Sequence, residues 1–156
     1  MFKKICIIGC GLIGSSLARA IKKNNLAEKI VSSNRSEAVN KKVIELKIVD
    51  DSSSDTKKMV DGSDLVVIAT PLSSYEDVIS KIKNSLKSGV ILTDVGSVKE
   101  NIINLVEKNI PENISLISSH PIAGTEESGP EAGFSELFQN RWCIFDAKQK
   151  GKKKRY

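Results

Sequence analysis

Short apolar runs rich in β-branched residues alternate along the chain with longer segments of helical periodicity, and this alternation restricts the architecture more than any other feature. The runs 4–8, 29–33, 65–70, 90–94, 114–118 and 142–145 read as strands, with a short extra strand near 48–50. Helices are expected over 12–24, 37–46, 55–60, 74–86, 99–108 and 131–138. A strand, a helix and a further strand in succession join parallel neighbours, because a tight hairpin can link only antiparallel ones. Uninterrupted runs such as Leu65-Val66-Val67-Ile68 and Val90-Ile91-Leu92 suit strands covered on both faces, the setting of a parallel sheet. The expected fold is α/β, doubly wound around a mainly parallel sheet, and 156 residues give a single domain with one such sheet.

Composition narrows the function classes. No apolar run approaches the roughly 18 to 20 residues of a membrane-spanning helix, so no membrane role is expected. Met1-Phe2-Lys3-Lys4 and the apolar residues up to Ile13 imitate the start of a signal peptide, but Gly9 and Gly11 interrupt the run, Gly14 ends it, and it reads as the first strand and turn. Cys6, Cys10 and Cys143 are odd in number and lack the paired spacing of a metal site, so reduced thiols in a cytoplasmic protein are expected, with no metal. The net charge of +5 sits at one end: without the six basic residues of 148–156 the chain carries 18 basic against 19 acidic side chains. A near-neutral domain over 1–147 followed by a solvated, disordered Lys-rich tail over 148–156 gives no ground for a nucleic-acid partner.

The chemistry begins at the first βα turn. Gly9-Cys10-Gly11-Leu12-Ile13-Gly14 is a GxGxxG that follows a strand and opens a helix. Gly9 would permit the tight turn, Gly11 a close approach of backbone to a pyrophosphate, and Gly14 close packing of helix on strand. Leu12 and Ile13 would then offer free N–H groups to the phosphates at the positive end of the helix dipole. This is the pattern of a Rossmann-type dinucleotide site; the bland alternative is a set of glycines that serve a turn alone. An NAD site usually places a carboxylate on the ribose about 20 residues further on. Here that region reads Ser32-Ser33-Asn34-Arg35-Ser36. Asn34 and Ser36 would not repel a phosphate and Arg35 could pair with it, so NADP is favoured over NAD unless Arg35 is only a surface charge.

Ligands of open α/β sheets lie beyond the carboxyl ends of the strands. Thr70 and Pro71 close one strand and would border the cofactor, Ser97 follows the next, and His120 follows a third as the only histidine. An imidazole titrates near neutrality and can exchange a proton with a substrate hydroxyl, which Ser97 could orient. Glu126 follows within a glycine turn near the same mouth. A lone histidine is as readily a structural residue.

The segments GCGLIGSSLA at 9–18, DVGSVK at 94–99 and SHPIAGTEESG at 119–129, followed by Glu136-Leu137-Phe138, together resemble the nucleotide-binding half of prephenate dehydrogenases. Arogenate and cyclohexadienyl dehydrogenases of tyrosine biosynthesis share it. The resemblance runs over about 3–144 and implies an oxidoreductase that decarboxylates prephenate or arogenate while hydride passes to NAD or NADP. It also implies that His120 holds and deprotonates the ring hydroxyl, that Ser97 orients it, and that Glu126 shapes the pocket entrance. Two departures qualify it. The usual acidic residue after the second strand is missing. The family continues beyond 142–145 into a helical domain that forms the homodimer and supplies cationic groups for the substrate carboxylates, whereas here a Lys run follows. The expectation is a truncated form, monomeric, that binds cofactor and turns over its substrate weakly or not at all. A non-catalytic dinucleotide-binding module stands as the alternative. A β-hydroxy-acid-type dehydrogenase is a further one, although such enzymes usually draw a catalytic lysine from a following domain.

Overall fold

In the computed structural model, which describes residues 1–146, the chain starts with β1 (Phe2–Ile8) and crosses by α1 (Leu12–Lys23) to β2 (Ala27–Ser33). It continues through α2 (Glu37–Glu45), β3 (Asp51–Ser53) and α3 (Thr56–Val60) to β4 (Leu65–Ile68). A 3-10 turn over Leu72–Ser74 opens α4 (Tyr75–Ile82), and β5 (Ile91–Asp94), α5 (Lys99–Asn109), β6 (Ser115–Pro121) and β7 (Cys143–Asp146) complete the chain. The expected tail at 148–156 lies outside the described residues.

The strands form one sheet in the order β3-β2-β1-β4-β5-β6-β7. Every neighbouring pair is parallel except β6 and β7, where Ser118 faces Asp146 and Pro121 faces Cys143 in an antiparallel register. The chain winds outward from β1 in both directions, so the strand order reverses between β1 and β4. Beyond their carboxyl ends lies the crevice where open α/β sheets hold their ligands. The Rossmann-type, doubly wound fold read from the strand-helix alternation is the one observed.

Two cores follow from the pleat. Ile5 and Ile7 point to one face and pack with Ala18, Ile21 and Val43 of α1 and α2. Cys6 and Ile8 point to the other and pack with Met59, Ile79, Ile102 and Val106 of α3, α4 and α5. The helices take their positions from the same logic. Gly14, Ala18 and Ile21 recur on one buried stripe of α1, and Lys22 and Lys23 in its last turn suit the negative end of the dipole. The chain leaves α1 through Asn25, whose φ of 51° is the left-handed conformation that asparagine tolerates best after glycine.

Four expected elements differ. The segment 131–138 is not a helix but a chain of turns, with Leu137 N–H donating to Phe134 O, Gln139 to Glu136 O and Arg141 to Phe138 O. Gly133 explains the difference. A Cβ there would lie 2.1 Å from Ser15 Oγ, and Phe134 N–H donates to Ser16 Oγ at 3.1 Å, so tertiary packing on α1 replaces a helix. The extra strand lies at Asp51–Ser53 rather than 48–50, because Ile48 and Val49 are buried in the α1–α2 core before pairing begins. Helix α4 ends at Ile82, where Ser85 N–H turns back onto Ile82 O. Strand β6 runs three residues further than 118 and carries His120 within it.

A single carboxylate ties the amino-terminal ends of β1 and β4. Asp64 accepts from the N–H groups of Lys3 at 2.7 Å and Lys4 at 3.1 Å and pairs with Lys87. The Lys87 ammonium first, and then the backbone donors, lower its pKa from an ordinary 3.8 to about 2. A depressed carboxylate stabilises the fold above its unfolded pKa and loses that contribution as pH falls through the folded one. Asp64→Asn should therefore lower the urea midpoint at pH 7, and the gap from the parent should close between about pH 4 and pH 2. A gap independent of pH would exclude this role.

Candidate functional site

The loop between β1 and α1 is shaped by what two glycines lack. Gly9 has φ +93°, a conformation that side chains rarely adopt, and its N–H donates to Ser33 O at 2.9 Å. A Cβ on Gly14 would stand 2.0 Å from the carbonyl oxygen of Gly9, so α1 can begin over the end of β1 only because Gly14 has none. Gly11 is different: a Cβ there would meet nothing within 4 Å, and its φ of −75° is open to any residue. Its carbonyl accepts the first helical bond, from Ser15 N–H. The N–H groups of Leu12 and Ile13 in the first turn have no intrahelical acceptor.

Asn34 holds this loop from beneath. Its side chain is buried, with Oδ1 accepting from Cys10 N–H at 2.6 Å and Nδ2 donating to Asn40 Oδ1 at 3.0 Å and Ser32 Oγ at 3.2 Å. Asn40 Nδ2 returns a bond to Asn34 O at 3.0 Å, and Ser52 Oγ of β3 donates to Asn40 Oδ1 at 2.7 Å. The Asn34 side chain is thus spent inside the protein, as a brace between β2, α2 and the glycine loop. Burial pushes the Cys10 thiol up to about 11, so this residue stays neutral and adds no negative charge under the loop.

Beside the loop, Ser33, Arg35, Thr56, Thr70, Pro71 and Lys81 border a cavity of about 250 Å³. Arg35 is exposed, while Ser36 caps α2 by accepting from Val39 N–H. Thr70 Oγ1 is buried without a hydrogen-bond partner among the described residues. A buried hydroxyl left unsatisfied at the mouth of a cavity awaits a ligand group or water. Together with the open space over Gly11 and the free amides of α1, it makes the crevice fit for an adenosine pyrophosphate.

At the next strand ends the organising group is Asp94, which is wholly buried. Its Oδ1 accepts from Ser118 Oγ at 2.6 Å; its Oδ2 accepts from Lys99 Nζ at 2.6 Å, Gly96 N–H at 3.0 Å and Tyr75 OH at 3.2 Å. Lys99 sits in the first turn of α5, where the dipole disfavours a cation, and the Asp94 carboxylate offsets that. Lys99 Nζ also donates to Ser119 O at 2.6 Å, next to His120. Burial, and then the Asp94 charge, hold the Tyr75 hydroxyl well above its ordinary pKa, so it remains a donor. A Cβ on Gly96 would collide with Leu72 and Tyr75, so the turn bearing Ser97 is wedged against this cluster.

His120 is half-buried at the carboxyl end of β6, and Ser97 is exposed just beyond the neighbouring β5. Glu126 is exposed in the irregular stretch after β6, and among the described residues no hydrogen bond or ion pair joins it to His120 or Ser97. Sequence reasoning missed the roles of Asp94, Lys99, Tyr75 and Asn40. For the first pair a signal existed, a lysine five residues after an aspartate that ends an apolar strand.

Comparison with known proteins places this geometry. Residues 17–155 match the family model described as prephenate dehydrogenase, nucleotide-binding domain. The chain belongs to the prephenate dehydrogenase family. It is 41% identical over 144 residues to a cyclohexadienyl dehydrogenase of Zymomonas mobilis, covering 92% of this chain and 49% of that one. It is 35% identical over 144 residues to a prephenate dehydrogenase of Lactococcus lactis, covering 91% of this chain and 40% of that one. The chain therefore spans about half the length of these relatives or less. Among solved structures, Aquifex aeolicus prephenate dehydrogenase in complex with hydroxyphenyl propionate and NAD+ superposes with a TM-score of 0.87 at 25% identity, over 99% of this chain and 54% of that one. Synechocystis arogenate dehydrogenase gives 0.85 at 26% identity, over 94% and 50%.

For this nucleotide-binding domain the two glycines predict opposite phenotypes. Gly14→Ala should cost about 1 to 3 kcal/mol in unfolding free energy, as expected for an overpacked site. Gly11→Ala should leave the melting temperature unchanged and weaken nucleotide binding at least about tenfold, because its methyl group enters the ligand space. Thermal melts and calorimetric titrations separate the two; equal effects on stability would refute the assignment.

Proposed function

We propose that the chain is the cofactor-holding part of an NAD(P)-dependent dehydrogenase that converts prephenate or arogenate by oxidative decarboxylation. The observation that carries this reading is the placement of His120, the one histidine, at the carboxyl end of β6, on the same end of the parallel sheet as the glycine loop and two strands beyond β4. The names of the relatives and the ligands of the Aquifex aeolicus structure support it.

A nicotinamide bound in the crevice would supply the hydride acceptor. The amides of Leu12 and Ile13 would hold its pyrophosphate, Thr70 Oγ1 would offer a hydroxyl at the cavity wall, and Arg35, on the same cavity, would supply a cation. His120 accepts the proton of the ring hydroxyl as the carbinol C–H bond gives up its hydride and the ring–carboxylate bond breaks, releasing carbon dioxide. The electron pair from that bond completes the aromatic ring, and His120 returns the proton to the phenolate oxygen. Ser97 orients the same hydroxyl. Aromatisation drives the reaction, so these residues need mainly to align the groups. Glu126 belongs to the rim.

The lean is toward NADP. Arg35 and Lys81 border the cavity, and 32–36 contains no carboxylate to repel a 2′-phosphate. Since charge-assisted hydrogen bonds contribute about 1.5 to 3 kcal/mol, NADP should bind roughly tenfold or more tightly than NAD, and Arg35→Ala should erase the difference. Equal or tighter binding of NAD would remove the preference without touching the catalytic reading.

Because the histidine is unique, its ring resonances need no assignment. With cofactor present, hydroxyphenyl propionate should shift them. His120→Asn should cut any prephenate- or arogenate-dependent turnover by at least about a hundredfold while leaving cofactor affinity within about threefold. Unmoved resonances on saturation with both ligands would sink the assignment.

A further inference from the structure

Toward the end of α1 away from the glycine loop lies a second cavity, of about 340 Å³, within the size range of small-molecule sites. Arg19, Lys22 and Lys23 of α1 form one wall, Lys47 and Ile48 between α2 and β3 a second, and the stretch 133–136 a third. No residue of β7, the opposite edge of the sheet from β3, lines it. Its charges do not balance. Lys23 pairs with Glu136, while Lys22 lies 3.9 Å from Asp50 and donates to Lys47 O at 2.8 Å. Arg19 and Lys47 have no carboxylate partner among the described residues, which leaves two positive charges unmatched. Lys22 and Lys23 in the last turn answer the helix dipole, but Arg19 precedes that turn and Lys47 is not on the helix. Arg19 is also short of acceptors. Its Nη2 donates to Pro130 O at 3.4 Å, and its Nε is buried with no hydrogen-bond partner among the described residues. A buried donor is costly to leave unpaired, so the guanidinium is incomplete without an oxygen from elsewhere.

We infer that this cavity binds a small phosphate monoester, with the phosphoryl group on Arg19 and Lys47 and the organic part against Ile48 and Phe134. Two unmatched cations call for a dianion, and a phosphate monoester carries a charge of about −1.5 to −2 at pH 7. A guanidinium takes two oxygen atoms of one phosphoryl group through parallel N–H bonds, and Lys47 adds a point charge. Ile48 and Phe134, the latter 41% exposed, give carbon a place beside the charged wall. The cavity exists only in the folded chain. Phe134 N–H donates to Ser16 Oγ at 3.1 Å and Glu136 pairs with Lys23, and these contacts bring the third wall to α1 from more than a hundred residues away. A ligand spanning α1, Lys47 and this stretch therefore binds the native state and stabilises it.

This inference does not rest on the catalytic reading, and its test needs no turnover. Phenyl phosphate serves as the probe, added to the full 156-residue chain. It should raise the melting temperature, and in a two-dimensional NMR titration the amides of Lys47 and 133–136 should move together and saturate. Arg19→Gln and Lys47→Gln should each weaken that response at least about tenfold. Lys47 is exposed, so its variant keeps the test sound where the loss of Arg19 disturbs folding. Arg35→Ala, at the cofactor cavity, should leave the affinity read at 133–136 within about twofold. A response confined to 9–13 would put the phosphate in the cofactor crevice and overturn the inference. So would a response at 133–136 that neither glutamine variant weakens, or the absence of any response at millimolar probe. Tighter binding of succinate than of phenyl phosphate would overturn it too, by making the site one for dicarboxylates.

Discussion

The site depends on one contact that only a missing side chain allows: the approach of α1 to the carbonyl of Gly9 at Gly14. It sets the start of the helix directly over the end of β1, at the strand where the winding of the sheet reverses. The amides of Leu12 and Ile13, in the first turn and without intrahelical acceptors, therefore start at the carboxyl end of β1. The Asn34 brace fixes the same loop from the opposite side. Its hydrogen bonds are nearly all internal and buried, and losing one partner would leave others unsatisfied at a cost of about 1 to 3 kcal/mol. A loop pressed from above by helix packing and tied from below has little entropy left to lose on binding a nucleotide.

Asp94 does for the other half of the crevice what Asn34 does for the first. It gathers β5, β6, α4 and the start of α5 around one buried carboxylate, with Lys99 as its counter-charge. A buried pair of this kind need not add net stability, since desolvation offsets the attraction. Its effect is geometric: the turn that carries Ser97 is fixed to Asp94 Oδ2, and the carbonyl next to His120 to Lys99 Nζ.

The fold was legible because its strands are buried on both faces and so read as unbroken apolar runs. The glycine loop was legible because its geometry depends on local spacing. What could not be read depended on distant partners. Nothing near Asn34 announces that Ser52 and Asn40 will take up its side chain inside the protein. The stretch 131–138 has helical character on its own, and Ser15 and Ser16, more than a hundred residues away, decide against it by closing on Gly133 and Phe134. The end of β6 could not be placed either, because the pairing that extends it to Pro121 comes from β7 across a long irregular connection.

That extension has a mechanical meaning. A histidine on a loop can swing to meet its substrate, but His120 is held in a strand with Ile144 of β7 beside it. The imidazole is a fixed post with only its own side-chain torsions to turn.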